Sequence, residues 1–214
     1  MKNKTIVPVK VLLIIFFAIR LISQIANFLH PNVEFKFYTI PYMAIILPIS
    51  AAIIFGVYIF KFYPTKQKHI LLPIFYIVNV ITFIPALTLQ IGNFLEITRH
   101  IEALTPLQYF YSSGILAIAY YIIEICFSIY LTIVGFTRFK GLRTAKKLVL
   151  IPSITAFVYS GLDLIIRIPN LIIYHMEYGF NTLFFTVTTL TEIILIPIYA
   201  SMLLIFWRKA MDCE

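Results

Sequence analysis

The residues best placed to do chemistry are two charged side chains inside an otherwise apolar stretch. Asp163 and Arg167 lie within residues 147–175, a stretch long enough to cross a bilayer. Placing a carboxylate or a guanidinium in the hydrocarbon core costs about 2.5–3.5 kcal/mol each on insertion scales. The two residues share one helical face with Ser160 and Asn170. This spacing predicts either an intrahelical ion pair that fixes helix packing or a polar face that lines a cavity.

Three further ionisable side chains lie within apolar stretches: Arg20, Glu124 and Glu192. If all five groups are ionised, the acids outnumber the bases by one. Either one carboxyl is then protonated or a bound cation supplies the missing charge. The alternative is a closed polar network that only holds the helices together.

Polar residues form stripes at helical spacing in five of the apolar stretches, and most fall in the half predicted to face outwards. Polar residues within membrane spans usually face a bundle interior or a water-filled space. This one-sided pattern predicts an outward-facing polar pocket that binds a small ligand. Its predicted ligand-binding residues are Arg20, Gln24, Asn79, Gln90, Tyr120, Glu124, Asp163, Arg167, Asn170, Thr189 and Glu192.

The elements that must position these residues are transmembrane helices. Of the 214 residues, 61% are hydrophobic and only 12% are charged, about half the charged fraction of an average soluble domain. The composition predicts an all-α fold, a polytopic membrane bundle in one domain covering residues 1–214. Six apolar stretches qualify as spans: about 5–29, 38–62, 69–95, 108–137, 147–175 and 180–207.

The distribution of Lys and Arg predicts the orientation of these spans. Alternate connections and the two termini hold 13 basic residues, whereas the opposite side holds only Lys36 and Arg99. Basic residues are enriched in the cytoplasmic loops of membrane proteins. Both termini are therefore predicted to be cytoplasmic, in a multi-pass protein of the cell membrane.

Several kinds of site are not predicted. Cys126 and Cys213 form no metal or disulfide pattern, and His30, His100 and His175 lack metal-ligand spacing. Motifs of hydrolases, metalloproteases and phosphate-binding loops are absent, so neither a metal nor a cofactor is expected. Without room for a soluble domain, the net charge of +8 does not indicate nucleic-acid binding.

The predicted architecture resembles that of the substrate-capture subunits of energy-coupling-factor vitamin importers. The shared features are six helices, both termini inside, about 200 residues and an outward pocket. The AxxxA signature expected in the first helix of that family is missing, since Ala18 and Ala26 are eight residues apart. The resemblance implies capture of a small solute from the outside.

The leading functional hypothesis is non-enzymatic binding of a small solute for transport or sensing. A binding protein without a motor would need a partner, in the cytoplasm or in the membrane. One alternative is an intramembrane enzyme that acts on lipid or prenyl substrates, with Glu124, Asp163 or Glu192 as general acid or base. Another is a membrane immunity or interaction protein, such as one that occupies the target of a toxin.

Overall fold

The structure is a computed structural model that describes residues 6–29, 39–63, 70–99, 114–137, 142–178 and 183–210. Almost all of these residues are helical, and none of them forms a strand. Their α-helices are α1 (Val7–Leu29), α2 (Thr39–Val57), α3 (Leu71–Thr98), α4 (Ile115–Phe136), α5 (Leu142–Leu148), α6 (Leu150–Tyr178) and α7 (Leu183–Ile205). Two of these helices continue into a π-helical turn, α2 into Tyr58–Phe62 and α7 into Phe206–Ala210.

The described helices are those of a membrane-embedded protein. Three helical stretches are long and apolar enough to cross a membrane: Leu71–Thr98, Ile115–Phe136 and Leu142–Pro169. Shorter apolar helices cover Pro48–Phe62 and Ile193–Arg208. The predicted all-α class is therefore confirmed, while the number of six spans and the side of each terminus stay predictions.

Helix boundaries differ from the predicted spans at several ends. The helices α3 and α6 run three residues beyond the predicted limits, to Thr98 and Tyr178. The helix α4 begins at Ile115, and residues 108–113, predicted to belong to it, lie outside the described part. Part of the basic connection predicted as a loop is the helix α5, whose Leu, Arg, Ala and Lys residues are good helix formers.

The chain folds into two compact units, and each is described by itself. The central unit, Tyr38–Pro152, contains α2, α3, α4 and α5. The terminal unit combines Met1–Phe37 with Ser153–Glu214 and contains α1, most of α6, and α7. The prediction of one domain stays a prediction.

In the central unit, α3 packs against both α2 and α4. The rings of Phe55 and Phe75 lie 4.7 Å apart and join α2 to α3. Near the same end of α3, a Cβ placed on Gly135 would lie 3.0 Å from Pro73, so α4 approaches α3 closely there. The side chain of Gln90, near the other end of α3, meets the start of α4. These contacts show that α3 and α4 are antiparallel.

The described buried residues of α2 and α3 cluster at the end where α2 meets the start of α3. We call this the basic end, because the α2–α3 connection holds Lys61, Lys66 and Lys68. All buried residues of α3 fall within its first third, between Leu72 and Asn79. The described residues of α3 beyond Asn79 are half-buried or exposed.

In the terminal unit, α1 packs against α7. The rings of Phe16 and Tyr199 lie 6.3 Å apart. The described buried residues of α1 begin at its N-terminal end, whereas those of α7 continue to Phe206 and Trp207 at its C-terminal end. The hydroxyl of Ser160 on α6 donates a hydrogen bond of 2.7 Å to the carbonyl of Ile193 on α7.

Candidate functional site

The Asp163–Arg167 ion pair is formed within α6. Arg167 Nε donates to Asp163 Oδ1 at 2.8 Å, as the four-residue spacing with the acid first predicts. The side chain of Asp163 is 10% exposed and that of Arg167 is 41% exposed. The carboxylate is therefore neutralised by its own helix, while the guanidinium still reaches the surface of the protein. The predicted ion pair is thus formed, and a ligand-binding role for its two residues stays a prediction.

Two buried hydroxyls of the terminal unit lack a hydrogen-bond partner among the described residues. They are Ser23 Oγ on α1 and Thr186 Oγ1 on α7. Arg20, also predicted as a ligand-binding residue, is half-buried on α1, one turn before Ser23 and Gln24. The terminal unit thus holds polar groups whose hydrogen-bonding capacity is only partly used.

Four predicted ligand-binding residues lie in described helices, but their side chains lie outside the described part of the structure: Gln24, Asn170, Thr189 and Glu192. Their predicted role stays a prediction.

Three predicted site residues, Asn79, Tyr120 and Glu124, lie on the two helices of the α3–α4 interface. Phe83 on α3 meets Tyr120 on α4 edge to face, with ring centroids 6.2 Å apart. Tyr121 completes an aromatic cluster, 5.9 Å from Phe83 and 5.3 Å from Tyr120. Tyr120 is buried. The cluster fixes the register of the two helices at this level.

One helical turn from this cluster towards the basic end lie Asn79 on α3 and Glu124 on α4. Asn79 is four residues before Phe83, and Glu124 is four residues after Tyr120. Because residues four apart share a helix face and the helices are antiparallel, Asn79 and Glu124 occupy the same level of the α3–α4 interface. Both are buried, with 4% and 1% of their surface exposed.

The carboxyl of Glu124 is buried without a described partner. No described residue forms a hydrogen bond with its Oε2. The hydroxyl of Ser128, one turn further along α4 and 1% exposed, also lacks a partner in the described part of the chain. An unsatisfied buried polar group costs about 1–3 kcal/mol, and more when it is charged. Two such groups therefore lie one turn apart on α4.

Ser128 differs from four threonines of the same two helices. Thr82, Thr88 and Thr98 on α3, and Thr132 on α4, each donate to the carbonyl four residues earlier. This local bond is the usual way for a helix hydroxyl to be satisfied in an apolar environment. The Ser128 hydroxyl does not make this bond, and no other described residue bonds to it.

Gln90 lies at the far end of the same interface. An added Cβ on Gly114 would lie 2.6 Å from Gln90 Oε1. Gly114 caps the start of α4 with φ of 66°, a conformation that glycine adopts readily. Gln90 is half-buried and packs against this cap. Two turns of α3 separate it from Phe83, so the described contacts do not bring it to Glu124.

Three residues with unpartnered hydroxyls were not among those predicted from the sequence: Ser23, Ser128 and Thr186. Ser23 precedes a predicted residue, and Ser128 follows Glu124 at the four-residue spacing of a helix face. That spacing could have identified Ser128. The described residues contain no group of three or more His, Cys, Asp or Glu side chains able to hold a metal ion.

No family model, no curated protein and no solved structure matches this chain. The resemblance to substrate-capture subunits therefore stays one of chain length and of predicted helix number and direction. Function is inferred from the residues themselves.

Proposed function

We propose that the chain is a six-span protein of the cell membrane that binds a small polar or amphipathic solute from the outer side. Both termini lie in the cytoplasm in this proposal, and binding serves transport or sensing rather than catalysis. Glu124, Asn79 and Tyr120 of the α3–α4 interface contribute to binding. In this proposal a partner protein in the membrane or in the cytoplasm couples binding to its consequence.

The observation that carries this proposal is a pair of buried polar atoms on α4 without described partners, Glu124 Oε2 and Ser128 Oγ. A network that served only to hold helices together would use its members to satisfy one another. A ligand pocket instead places a few polar groups, which the ligand then satisfies, among mostly apolar side chains. Intramembrane ionisable residues such as Glu124 commonly mark such sites.

The proposed orientation is supported by the packing of the central unit. The α2–α3 connection with Lys61, Lys66 and Lys68 adjoins the same end of α3 that approaches Gly135, near the end of α4. The basic connection after α4, which begins at Arg138, therefore adjoins that end too. The enrichment of basic residues at one end agrees with the positive-inside rule.

The test is to look for a solute in the purified protein. The wild-type chain would be isolated in lipid nanodiscs from the cells that make it, and its bound small molecules identified by native mass spectrometry. We expect a recurrent small molecule in the wild type and its loss in Glu124→Gln. The matched control is Thr88→Val, which removes an exposed hydroxyl already bonded to its own helix and should leave the solute in place.

Other results would favour the alternative functions. A membrane lipid profile that changes on deletion and on Glu124→Gln would identify an enzyme acting on lipid or prenyl substrates. An unaltered phenotype after removal of all the buried polar groups would identify an immunity or interaction protein. Repeated recovery of the wild type without any bound small molecule would contradict solute binding.

A further inference from the structure

The α3–α4 interface at the level of Glu124 combines one acidic group with neutral oxygen ligands. Asn79 contributes an amide at the same level, and Ser128 contributes a hydroxyl one turn below. Carboxylate, amide and hydroxyl oxygens are hard ligands, which suit small hard cations. The orphaned carboxyl and hydroxyl are each 1% exposed, so bulk water does not satisfy them.

No described basic residue of the central unit is placed to neutralise Glu124. The basic residue Lys61 lies beyond Phe55 towards the basic end, whereas Asn79 lies beyond Phe75 in the opposite direction. The levels of Lys61 and Asn79 therefore differ by about 15 Å, at about 1.5 Å per residue. Arg99 is still further along α3, and the basic residues of α5 come only after the end of α4. An ionised Glu124 accordingly needs a positive charge from outside this unit's described side chains.

We propose that Glu124 and Ser128, with Asn79, form a binding site for a monovalent cationic group, either a free alkali ion or the ammonium group of an organic solute. This inference deepens the proposed function and rests on it for the route by which the cation arrives. One carboxylate matches one positive charge, which selects a monovalent group over a divalent ion. The aromatic cluster of Phe83, Tyr120 and Tyr121 lies one turn above the site. Electrostatic attraction is stronger in such surroundings than in water.

The Glu124 carboxyl and the Ser128 hydroxyl lie one turn apart on α4 and make no hydrogen bond to each other. A cation held between the carboxylate and the hydroxyl satisfies both oxygens at once.

The test is thermal unfolding of the full chain in lipid nanodiscs at alkaline pH. The probes are NaCl, KCl and methylammonium chloride, each titrated at constant ionic strength against N-methylglucamine chloride, whose bulky cation does not fit a buried site. We expect at least one probe to raise the unfolding temperature of the wild type. Glu124→Gln should abolish that rise, and Ser128→Ala should weaken the apparent affinity about tenfold. A response to Na⁺ or K⁺ identifies a free ion, and a response to methylammonium alone identifies an organic ammonium group.

Thr132→Val is the matched control, since its hydroxyl is already bonded to the Ser128 carbonyl at 2.9 Å and should not contribute. The proposal is overturned if no probe stabilises the wild type, or if the rise persists in Glu124→Gln. If Glu124→Gln does not fold, an unchanged affinity in Ser128→Ala overturns it. A solute bound without any cation effect would refute this inference and leave the proposed function standing. A cation effect in a protein that never carries a solute would support this inference and contradict the proposed function.

Discussion

The two side chains of the Asp163–Arg167 pair are unequally exposed, so single substitutions at the two positions should differ in their effect on stability. Arg167→Met removes the partner of a carboxylate that is only 10% exposed. Asp163→Asn instead leaves a guanidinium that is 41% exposed and stands on a long, flexible stem. We therefore expect Arg167→Met to destabilise the protein much more than Asp163→Asn.

The size of the difference follows from how deeply each remaining charge is buried in the protein. The Asp163 side chain is nearly buried, so removing its partner in Arg167→Met should approach the cost of breaking a buried ion pair, about 3–5 kcal/mol. The Arg167 side chain is largely exposed and can extend on its flexible stem, so its remaining charge should cost only about 0–1 kcal/mol in Asp163→Asn. For a chain of this size, 1 kcal/mol corresponds to about 2–4 °C in unfolding temperature. The expected losses are then about 6–20 °C for Arg167→Met and at most about 4 °C for Asp163→Asn.

The assay is thermal unfolding in detergent for both single variants and for Asp163→Leu combined with Arg167→Met. Replacing both charges should restore stability to within about 1 kcal/mol of the wild type, because no unpaired charge remains. Glu96→Gln on α3, an exposed acid, is the control for loss of one negative charge. Equal losses in the two single variants would refute the argument from exposure. A stable double variant that binds its solute normally would remove the pair from the binding site.

Three further predictions concern packing and orientation. Ser160→Ala should cost about 1–2 kcal/mol, since it leaves the Ile193 carbonyl without its hydrogen bond, and thermal unfolding would measure this. Gly114→Ala should cost about 1–2 kcal/mol for the left-handed backbone alone, and more because its Cβ would crowd Gln90. Reporter fusions at the C-terminus and beside Arg99 should lie on opposite sides of the membrane, and the same side for both would refute the six-span topology.

Two substitutions serve as controls for the packing predictions. Thr88→Ala removes an exposed hydroxyl that bonds only within its own helix, so its effect should stay within about 0.5 kcal/mol. Gly92→Ala places a Cβ where nothing lies within 4 Å, in a helix that favours alanine over glycine by about 1 kcal/mol. It should be neutral or stabilising. A large loss from either control would show that the two packing variants fail for reasons other than their contacts.

The helices and the Asp163–Arg167 pair could be predicted from the sequence because both depend on local spacing. Apolar stretches of sufficient length specify membrane helices, and an acid four residues before a base specifies the pair. The helix α5 is not predicted, because its basic residues are equally those of a loop that sets topology. Its burial of Ala145 depends on packing against α4, which local composition does not reveal.

The level of Glu124 in the α3–α4 interface could not be predicted, because it depends on which helices pack and in which register. The sequence identified Asn79, Tyr120 and Glu124 separately, as members of stripes on two helices. Their meeting follows from the ring contacts of Phe83 and the close approach at Gly135, both of them tertiary. The sequence also cannot show that Ser128 departs from the local hydrogen bond that Thr132 makes, since rotamers are chosen by packing.

The surroundings of Glu124 determine how costly an unpaired charge on its carboxyl is. One turn towards the basic end, Phe75 and Tyr76 are fully buried with ring centroids 4.8 Å apart. One turn the other way lies the aromatic cluster that contains Phe83 and Tyr120. The polar level thus lies between two aromatic layers. At the lower effective dielectric of such a place, a charge pair at a given distance attracts several-fold more strongly than in water, and an unpaired charge is correspondingly more costly. The aromatic layers that make an unpaired Glu124 carboxylate costly would therefore also strengthen its attraction to the proposed cation.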